Sequence, residues 1–168
     1  RQGSSLGVHR VDGPGDWPAK AGDALSFGGE ILVEDYIAGR ELTVGIVGDD
    51  ALPLIEIMAP DCWYDYGAKY TSGACRYLVP APVESSAGHT CQKLALRTFE
   101  ALGCAGFARV DFRMDGKGNV YVLELNSIPG FTETSLLPKA AAAAGMGFPD
   151  LCDRIMRMAL DDCRITDH

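Results

Sequence analysis

No run of apolar residues in this 168-residue sequence approaches the roughly 18 residues that a membrane-spanning helix needs. The opening residues, RQGSS, lack the apolar core of a signal peptide and contain no methionine. We therefore expect no membrane association and a cytoplasmic location. We also expect the chain to be a segment of a longer protein, because it begins in a small, glycine-rich stretch that is typical of a functional loop.

Positive charge is scarce: the sequence has 15 Lys and Arg residues against 23 Asp and Glu residues, which gives a net charge of −8. General nucleic-acid-binding proteins are normally basic, so this balance argues against nucleic acid as a partner. It does not exclude a small anionic ligand, which needs only a local cluster of cations or backbone N–H groups. The length suits one domain, and we treat residues 1–168 as one domain.

The sequence also lacks the usual signatures of a zinc site, because no two of its six cysteines form a Cys-x-x-Cys pair and its three histidines are scattered. An even cysteine count without a secretory signal favours reduced thiols over a disulfide framework. The cysteines are Cys62, Cys75, Cys91, Cys104, Cys152 and Cys163.

Capping residues and hydrophobic periodicity predict alternating short strands and helices. A tract between them, residues 59–80, has no periodicity but is rich in aromatic side chains, which is typical of a functional loop. The predicted helices are 16–25, capped by Asp16, 85–103, capped by Ser85 or Ser86, one from Thr134 or Ser135 through 140–144, and 148–160. The predicted strands are 30–37, 41–48, 51–58, 104–115 and 120–126.

The strands 104–115 and 120–126 are joined by DGKGN, so we predict an antiparallel hairpin with its turn between Lys117 and Gly118. Because strand side chains alternate between two faces, Leu123 and Leu125 should be buried on one face. Glu124 and Asn126 should then project from the other.

This register places Asp111 opposite Glu124 and Arg109 opposite Asn126, with all four side chains on one face. Two opposed carboxylates repel each other unless a cation lies between them. Carboxylate and amide oxygens are hard ligands that suit Mg²⁺ or Mn²⁺, which commonly share their shell with nucleotide phosphates. The alternative is that Arg109 pairs with Asp111 while Glu124 and Asn126 meet solvent.

Several motifs in order, ARVDF (108–112), LELNSIPG (123–130) and TETSLLP (132–138), resemble the C-terminal part of the D-alanine–D-alanine ligases. These are ATP-grasp enzymes of peptidoglycan precursor synthesis. Further matches are GSSLGV (3–8), ILVEDYIAGRELTVGI (31–46), LPLIEI (52–57) and YDYGAKY (64–70). The resemblance implies an α+β fold, the C-terminal subdomain of the ATP-grasp fold, with a mainly antiparallel sheet and flanking helices.

The resemblance also implies roles for the hairpin and the segment after it. Two Mg²⁺ or Mn²⁺ ions would be held against ATP phosphates by the hairpin side chains, and a second D-alanine by the helix that follows. The implied metal ligands are Asp111, Glu124 and Asn126; the oxyanion groups are Arg109 and the N–H of Gly130; the acceptor carboxylate would meet Ser135 and the N–H of Leu136.

The remaining implied residues contact ATP or the first D-alanine. Some of the implied residues have a plainer alternative: Ser135 could be only a helix cap, Glu41 an edge-strand surface residue, Lys69 a solvated lysine and Tyr70 a residue of loop packing. The implied ATP contacts are Glu34, Asp35, Ile37, Glu41, Lys69 and Ser5, and the residues closing over the first D-alanine are Ser4 and Tyr70.

Two residues depart mildly from the family pattern, because Ser127 and Phe131 stand where the family more often has Thr and Met. Tyr70 after Lys69 resembles the dipeptide-forming members, whereas the related D-alanine–D-lactate ligases tend to have a histidine there, so the resemblance favours an amine over a hydroxy acid as the second substrate. The N-terminal domain of the family and the preceding ATP-grasp strands are absent from this sequence, so we expect the fragment alone to be inactive. The resemblance also implies a homodimer for the full-length protein.

The leading hypothesis is thus ATP-dependent ligation of two D-alanines through an acyl phosphate. One alternative is an ATP-grasp carboxylate–amine ligase with other substrates. Another is a non-catalytic nucleotide-binding fragment.

Overall fold

The structure is a computed structural model that describes residues 7–58 and 75–165. The chain forms two compact units, the first comprising residues 1–37 and 59–76 and the second residues 38–58 and 77–168. None of the described helices is both long and apolar enough to cross a membrane.

In the first unit, helix α1 (Trp17–Ser26) confirms the predicted short helix, with Asp16 as N-cap and a proline in the first turn. The Asp16 side chain does not cap the helix, because its carboxylate accepts a hydrogen bond from Lys20 at 3.1 Å instead.

The strand predicted over 30–37 is wrong, because this segment has no strand structure. Leu32 and Val33 are largely exposed. Residues with a strong strand propensity form a strand only when a neighbouring strand pairs with them.

The second unit is built on a sheet in which strands β4, β3, β1, β5 and β6 lie side by side in that order, and β2 pairs with β1. Strand β1 pairs antiparallel with β2, β3 and β5, and β5 pairs antiparallel with β6. The mainly antiparallel architecture confirms the predicted fold class. The strands are β1 (Gly39–Val47), β2 (Asp50–Ala51), β3 (Ile55–Met58), β4 (Arg76–Leu78), β5 (Phe107–Asp115) and β6 (Val120–Asn126).

The strand predicted over 51–58 is interrupted between β2 and β3. Pro53 lies in the interruption and has no backbone N–H with which to continue a ladder. The Leu52 N–H donates to the Gly45 carbonyl at 2.8 Å.

Three helices flank this sheet: α2 (Ser85–Ala101), α3 (Leu136–Ala143) and α4 (Phe148–Ile165). All three were predicted, but α2 has Glu84 as its N-cap instead of a serine. Helix α3 has Ser135 as its N-cap, one of the two residues predicted for its start.

Helix α2 covers one face of the sheet. Its buried Cys91 and Ala95 belong to the same core cluster as the fully buried Leu42, Val110 and Phe112 of the central strands β1 and β5. Every side chain in this cluster is apolar, so this face supplies the hydrophobic core of the second unit.

Helix α3 lies against the opposite face, and Gly45 of β1 explains how it approaches so closely. A Cβ atom at Gly45 would lie 2.5 Å from Cδ1 of Leu137 and 3.1 Å from Cδ1 of Leu52. Only a residue without a side chain leaves room for Leu137 there. The start of α3 is therefore held on the face that carries Arg109, since Gly45 is paired with Arg109 across the β1–β5 ladder.

The turn between β5 and β6 lies in the predicted segment, but it centres on Lys117 and not between Lys117 and Gly118, because Met114 is paired with Val120. The Asp115 carboxylate accepts hydrogen bonds from the backbone N–H groups of Lys117 and Asn119, both at 2.9 Å, and from the Asn119 side chain at 2.8 Å. The Asn119 side-chain bond, together with the backbone bonds, lowers the pKa of Asp115. Gly118 adopts a φ of 85°, which an L side chain would strain.

Candidate functional site

The β5–β6 hairpin has the register predicted at its polar residues. Asp111 is paired with Glu124, and Arg109 with Asn126. Directly opposed residues of an antiparallel pair share a face, so these four side chains project from the face opposite the α2 core.

A β-bulge lies between the turn and this polar group. Beside the turn, Phe112 is paired with Val122, while the next residue, Asp111, is paired with Glu124, so Leu123 is the extra residue of β6. The expected burial of Leu123 is therefore wrong, since it is 48% exposed. Leu125 does pack against the core as predicted.

Asp111 is the centre of the polar group, and it is buried. Arg109 forms a two-pronged ion pair with it, with Nε 2.8 Å from Oδ1 and Nη2 2.8 Å from Oδ2. Asn126 donates from Nδ2 to Oδ2 at 3.1 Å, and the Thr43 hydroxyl lies 2.6 Å from Oδ1. The Arg109–Asp111 pair and the exposed Glu124 both match the alternative stated above. Asn126 differs from it, because Asn126 bonds to Asp111.

The Glu124 side chain differs from that of Asp111, because it has no hydrogen bond or ion pair to any residue in the described ranges and is exposed. Its carboxylate is nonetheless the direct cross-strand neighbour of Asp111. Within residues 7–58 and 75–165, no three His, Cys, Asp or Glu side chains cluster as a metal site. The available donors are two carboxylates and one amide, all oxygen ligands, and this set fits a hard divalent cation that takes its other ligands from substrate or water.

A second ion pair lies further along the same face. Arg113 donates from Nη1 to Glu41 Oε2 at 3.1 Å and from Nη2 to the Gly39 carbonyl at 3.2 Å. Both side chains are largely buried. Glu41, the residue implied for the ribose, is thus held by an arginine that the sequence did not single out.

The segment after β6 folds back on itself before α3. A Cβ atom at Gly130 would lie 3.3 Å from the Ser135 hydroxyl, so these two predicted site residues are neighbours. Ser135 Oγ accepts a hydrogen bond from the Thr132 N–H at 3.0 Å and lies 2.9 Å from the Thr132 hydroxyl. Because Ser135 does not bond to the N–H groups of α3, those groups stay available to an anion.

Phe131 anchors this segment. Its ring lies 5.7 Å from that of Phe107 at the start of β5 and 5.5 Å from that of Phe148 at the start of α4, both tilted arrangements that aromatic rings prefer. The departure from the family pattern at this position therefore has a packing role next to Gly130.

In the first unit, Glu34 and Asp35 are exposed and Ile37 is partly exposed, and Tyr36 lies under the Arg10 guanidinium at 4.7 Å. Four other predicted site residues lie outside the described residues. They are Ser4, Ser5, Lys69 and Tyr70.

Thr43 and Arg113 are the two polar residues at this site that the sequence analysis did not assign. Both are buried, and each contacts a predicted site residue. One feature of the sequence could have indicated them. Each is a polar side chain that alternates with apolar ones in a central strand, where both faces are buried.

Comparison with known proteins places the chain in a family. Residues 1–157 match the family model described as "D-ala D-ala ligase C-terminus". The D-alanine–D-alanine ligase of Desulforudis audaxviator is 47% identical over 162 residues, covering 94% of this chain and 53% of the relative. That of Pelotomaculum thermopropionicum is 43% identical over 167 residues, covering 98% of this chain and 52% of the relative.

Solved structures give matches to the same family. The crystal structure of the D-alanine–D-alanine ligase from Bacillus anthracis matches with a TM-score of 0.83 and 33% identity, over 98% of this chain and 53% of that one. The same enzyme complexed with ATP matches with a TM-score of 0.67 and 32% identity, over 79% of this chain and 42% of that one. The chain spans about half the length of the curated relatives it matches. It belongs to the D-alanine–D-alanine ligase C-terminal family.

Proposed function

We propose that this chain is the C-terminal part of an ATP-dependent enzyme that ligates two D-alanines for cytoplasmic peptidoglycan synthesis. The observation that carries the proposal is the polar group on one sheet face, with Asp111 opposite Glu124 and Arg109 opposite Asn126. In the ligation, the carboxylate of the first D-alanine takes the γ-phosphoryl group of ATP and ADP is released. The amine of the second D-alanine then attacks the carbonyl carbon of the acyl phosphate, and phosphate leaves as the peptide bond forms.

Asp111, Glu124 and Asn126 would hold Mg²⁺ or Mn²⁺, two ions on the family resemblance. A divalent cation bound there neutralises phosphate charge during phosphoryl transfer. The exposed carboxylate of Glu124 supports this assignment, because it has no partner among the described residues although it faces Asp111.

Arg109 and the backbone N–H of Gly130 would stabilise the negative charge that develops on the carbonyl oxygen when the amine attacks. Donors held in place before the reaction contribute more than donors that must reorient. The bond network around Asp111 holds Arg109, and the Phe131 ring contacts hold the segment that carries Gly130.

Ser135 and the N–H of Leu136 would bind the carboxylate of the second D-alanine. Ser135 precedes the first residue of α3, where unpaired N–H groups and the helix dipole favour an anion. The neighbouring amine would then lie on the Gly130 side, because Gly130 adjoins Ser135.

The remaining roles are carried over from the resemblance, and the ATP complex of the Bacillus anthracis enzyme supports a nucleotide ligand. Glu41 would accept the ribose hydroxyls, which suits a carboxylate held in place by Arg113. The others are Glu34, Asp35 and Ile37 for adenine, Lys69 and Ser5 for phosphate, and Ser4 and Tyr70 for the first D-alanine.

The test is Glu124→Gln in the full-length protein that carries this chain. The substitution keeps the size of the side chain and removes its charge, so we expect D-alanyl-D-alanine formation and the accompanying phosphate release to be lost. The control is Glu100→Gln, because Glu100 is exposed on α2 and away from the polar group. Retained dipeptide formation in Glu124→Gln would sink the metal assignment.

Two outcomes separate the neighbouring hypotheses. Phosphate release that depends on an amine or acid other than D-alanine would indicate a related carboxylate–amine ligase. The isolated chain should not turn over, and the full-length protein should be a homodimer by light scattering.

A further inference from the structure

Thr43 is a buried polar residue in the middle of the sheet. It lies in β1 between the fully buried Leu42 and Val44, and only 1% of its surface is exposed. Across the β1–β5 ladder it is paired with Asp111. A hydroxyl in such a position needs a hydrogen-bond partner, so its contacts define its role.

The Thr43 hydroxyl lies 2.6 Å from Asp111 Oδ1 and 3.1 Å from the Val110 carbonyl oxygen. A hydroxyl has one proton to donate, and the shorter contact is the one to the carboxylate. Charge-assisted O–H···O⁻ bonds are short and strong, so the donation goes to Asp111.

The other two side chains that bond to Asp111, those of Arg109 and Asn126, each have a separate role in the proposed function. Arg109 would serve the oxyanion and Asn126 the metal. Thr43 has no other described side-chain partner, and its β-branched side chain on a central strand has little rotamer freedom. Among the described side chains that donate to Asp111, Thr43 is the one without a second role in the proposed function.

We propose that Thr43 is a positioning residue that fixes the direction of the Asp111 carboxylate toward the divalent cation. The inference rests on the proposed function, since it requires Asp111 to be a metal ligand. The hydroxyl occupies one lone pair of Oδ1 from inside the sheet. Arg109 and Asn126 occupy the other three lone pairs in this structure, so a cation would take places that those two side chains now hold, while the Thr43 bond keeps the carboxylate in its orientation. Such indirect partners typically change metal affinity by about 10–100-fold when they are removed.

The experiment compares Thr43→Val with Thr43→Ser in the full-length protein. Valine keeps the shape and removes the donor, whereas serine keeps the donor and removes a methyl group. The readout is the dissociation constant of Mn²⁺ in the presence of ADP, measured by the loss of the free-ion paramagnetic resonance signal. We expect Thr43→Val to raise this constant about tenfold or more, and Thr43→Ser to stay near the wild-type value.

Thr98→Val is the matched control. The Thr98 hydroxyl donates to the Leu94 carbonyl within α2 at 2.8 Å, so this variant loses a comparable bond away from Asp111. Its Mn²⁺ affinity should equal that of the wild type. Thr43→Ala is a second variant that lacks the donor but cannot overpack the strand, and it should show the same weakening as valine.

The outcomes separate the two proposals. If Thr43→Val and Thr43→Ala lower the thermal midpoint while Mn²⁺ affinity stays unchanged, Thr43 is only structural and the proposed function stands. Weakening in Thr43→Ser equal to that in Thr43→Val would also overturn the positioning role. Failure of the wild-type protein to bind Mn²⁺ with ADP would overturn the metal assignment itself.

Discussion

The two faces of the sheet in the second unit are both buried, yet they differ in chemistry. The face under α2 carries Leu42, Val110 and Phe112, and every member of its core cluster is apolar. The face under α3 carries Thr43, Asp111 and Arg113, which are the buried polar residues among those the structure describes. The same two strands, β1 and β5, supply both faces.

The comparison shows that burial alone does not mark a functional site here, whereas buried polarity does. A charged side chain removed from water is costly unless it is paired. On the α3 face, Asp111 is paired with Arg109 and Glu41 with Arg113. The α2 face has no charged side chain and therefore no such cost. Substitutions on the two faces should accordingly change the stability of the protein in different ways.

The largest expected effect is that of removing half of the Glu41–Arg113 pair. Arg113→Met leaves a largely buried Glu41 carboxylate without its guanidinium, and losing one partner of a buried pair typically costs about 3–5 kcal/mol. We expect this loss in the free energy of unfolding, measured by urea denaturation.

The double variant Glu41→Leu with Arg113→Met removes both charges and should recover most of the loss. The control is Arg157→Met, which breaks the fully solvated Arg157–Asp153 pair on α4 and should leave stability unchanged. A double variant no more stable than Arg113→Met would show that the loss comes from packing and not from the Glu41 charge that has lost its arginine.

An intermediate effect is expected from Gly45→Ala, which adds a methyl group where α3 touches the sheet. The new Cβ would lie 2.5 Å from Leu137, whose side chain is buried, so Leu137 must move. Overpacking of this kind costs about 1–3 kcal/mol. If Ser135 binds the acceptor as proposed, the shift of α3 should also raise the KM for the second D-alanine.

Gly88→Ala in α2 is the matched control, because a Cβ there meets only Val83, at an ordinary 3.7 Å. Alanine at this helical position should stabilise the protein by about 0.4–1 kcal/mol. An unchanged free energy of unfolding in Gly45→Ala would mean that α3 can move aside freely.

The smallest effect concerns the one titratable group of the apolar cluster, Cys91. Burial raises the pKa of this thiol from 9.0 to about 11. Since the unfolded thiol ionises first, its contribution to stability is complete below pH 9 and is lost as the pH rises from 9 through 11. The stability difference between wild type and Cys91→Ala should therefore shrink between pH 8.5 and 10.5.

This is measured by chemical unfolding at several pH values in that range. A constant difference across the range would show that the thiol ionises equally in the folded and unfolded states. Solvent would then reach the Cys91 thiol more readily than the apolar composition of the α2 face implies.

The sequence predicts the hairpin and its polar pairs, but the pairs come out as predicted only through the bulge. With the turn centred on Lys117, uninterrupted pairing would place Leu123 opposite Asp111, and the extra residue brings Glu124 to that position. The helices also follow from local signals, such as Ser135 before α3. These features depend on neighbours along the chain, which is the information that a single sequence contains.

The errors involve contacts between distant residues. Residues 30–37 have strand propensity but no pairing partner among the described residues, and exposed Leu123 is an extra residue that alternation cannot foresee. The contacts of Thr43 with Asp111 and of Arg113 with Glu41 become evident only when β1 is paired with β5. The role implied for Glu41 came from family motifs and not from spacing, whereas the hairpin register had already indicated Asp111 as a candidate metal ligand.

The bulge at Leu123 has a consequence for how this hairpin tolerates change in length. Val122 and Glu124 are two positions apart in sequence, yet their side chains lie on opposite faces, because the residue between them does not count in the ladder. A one-residue deletion at Leu123 would leave Glu124 facing Asp111, whereas a deletion at Leu125 would place Asn126 opposite Val110 and turn Asn126 toward the apolar face. Among relatives of different length, a gap in this strand is therefore harmless at Leu123 and disruptive at Leu125.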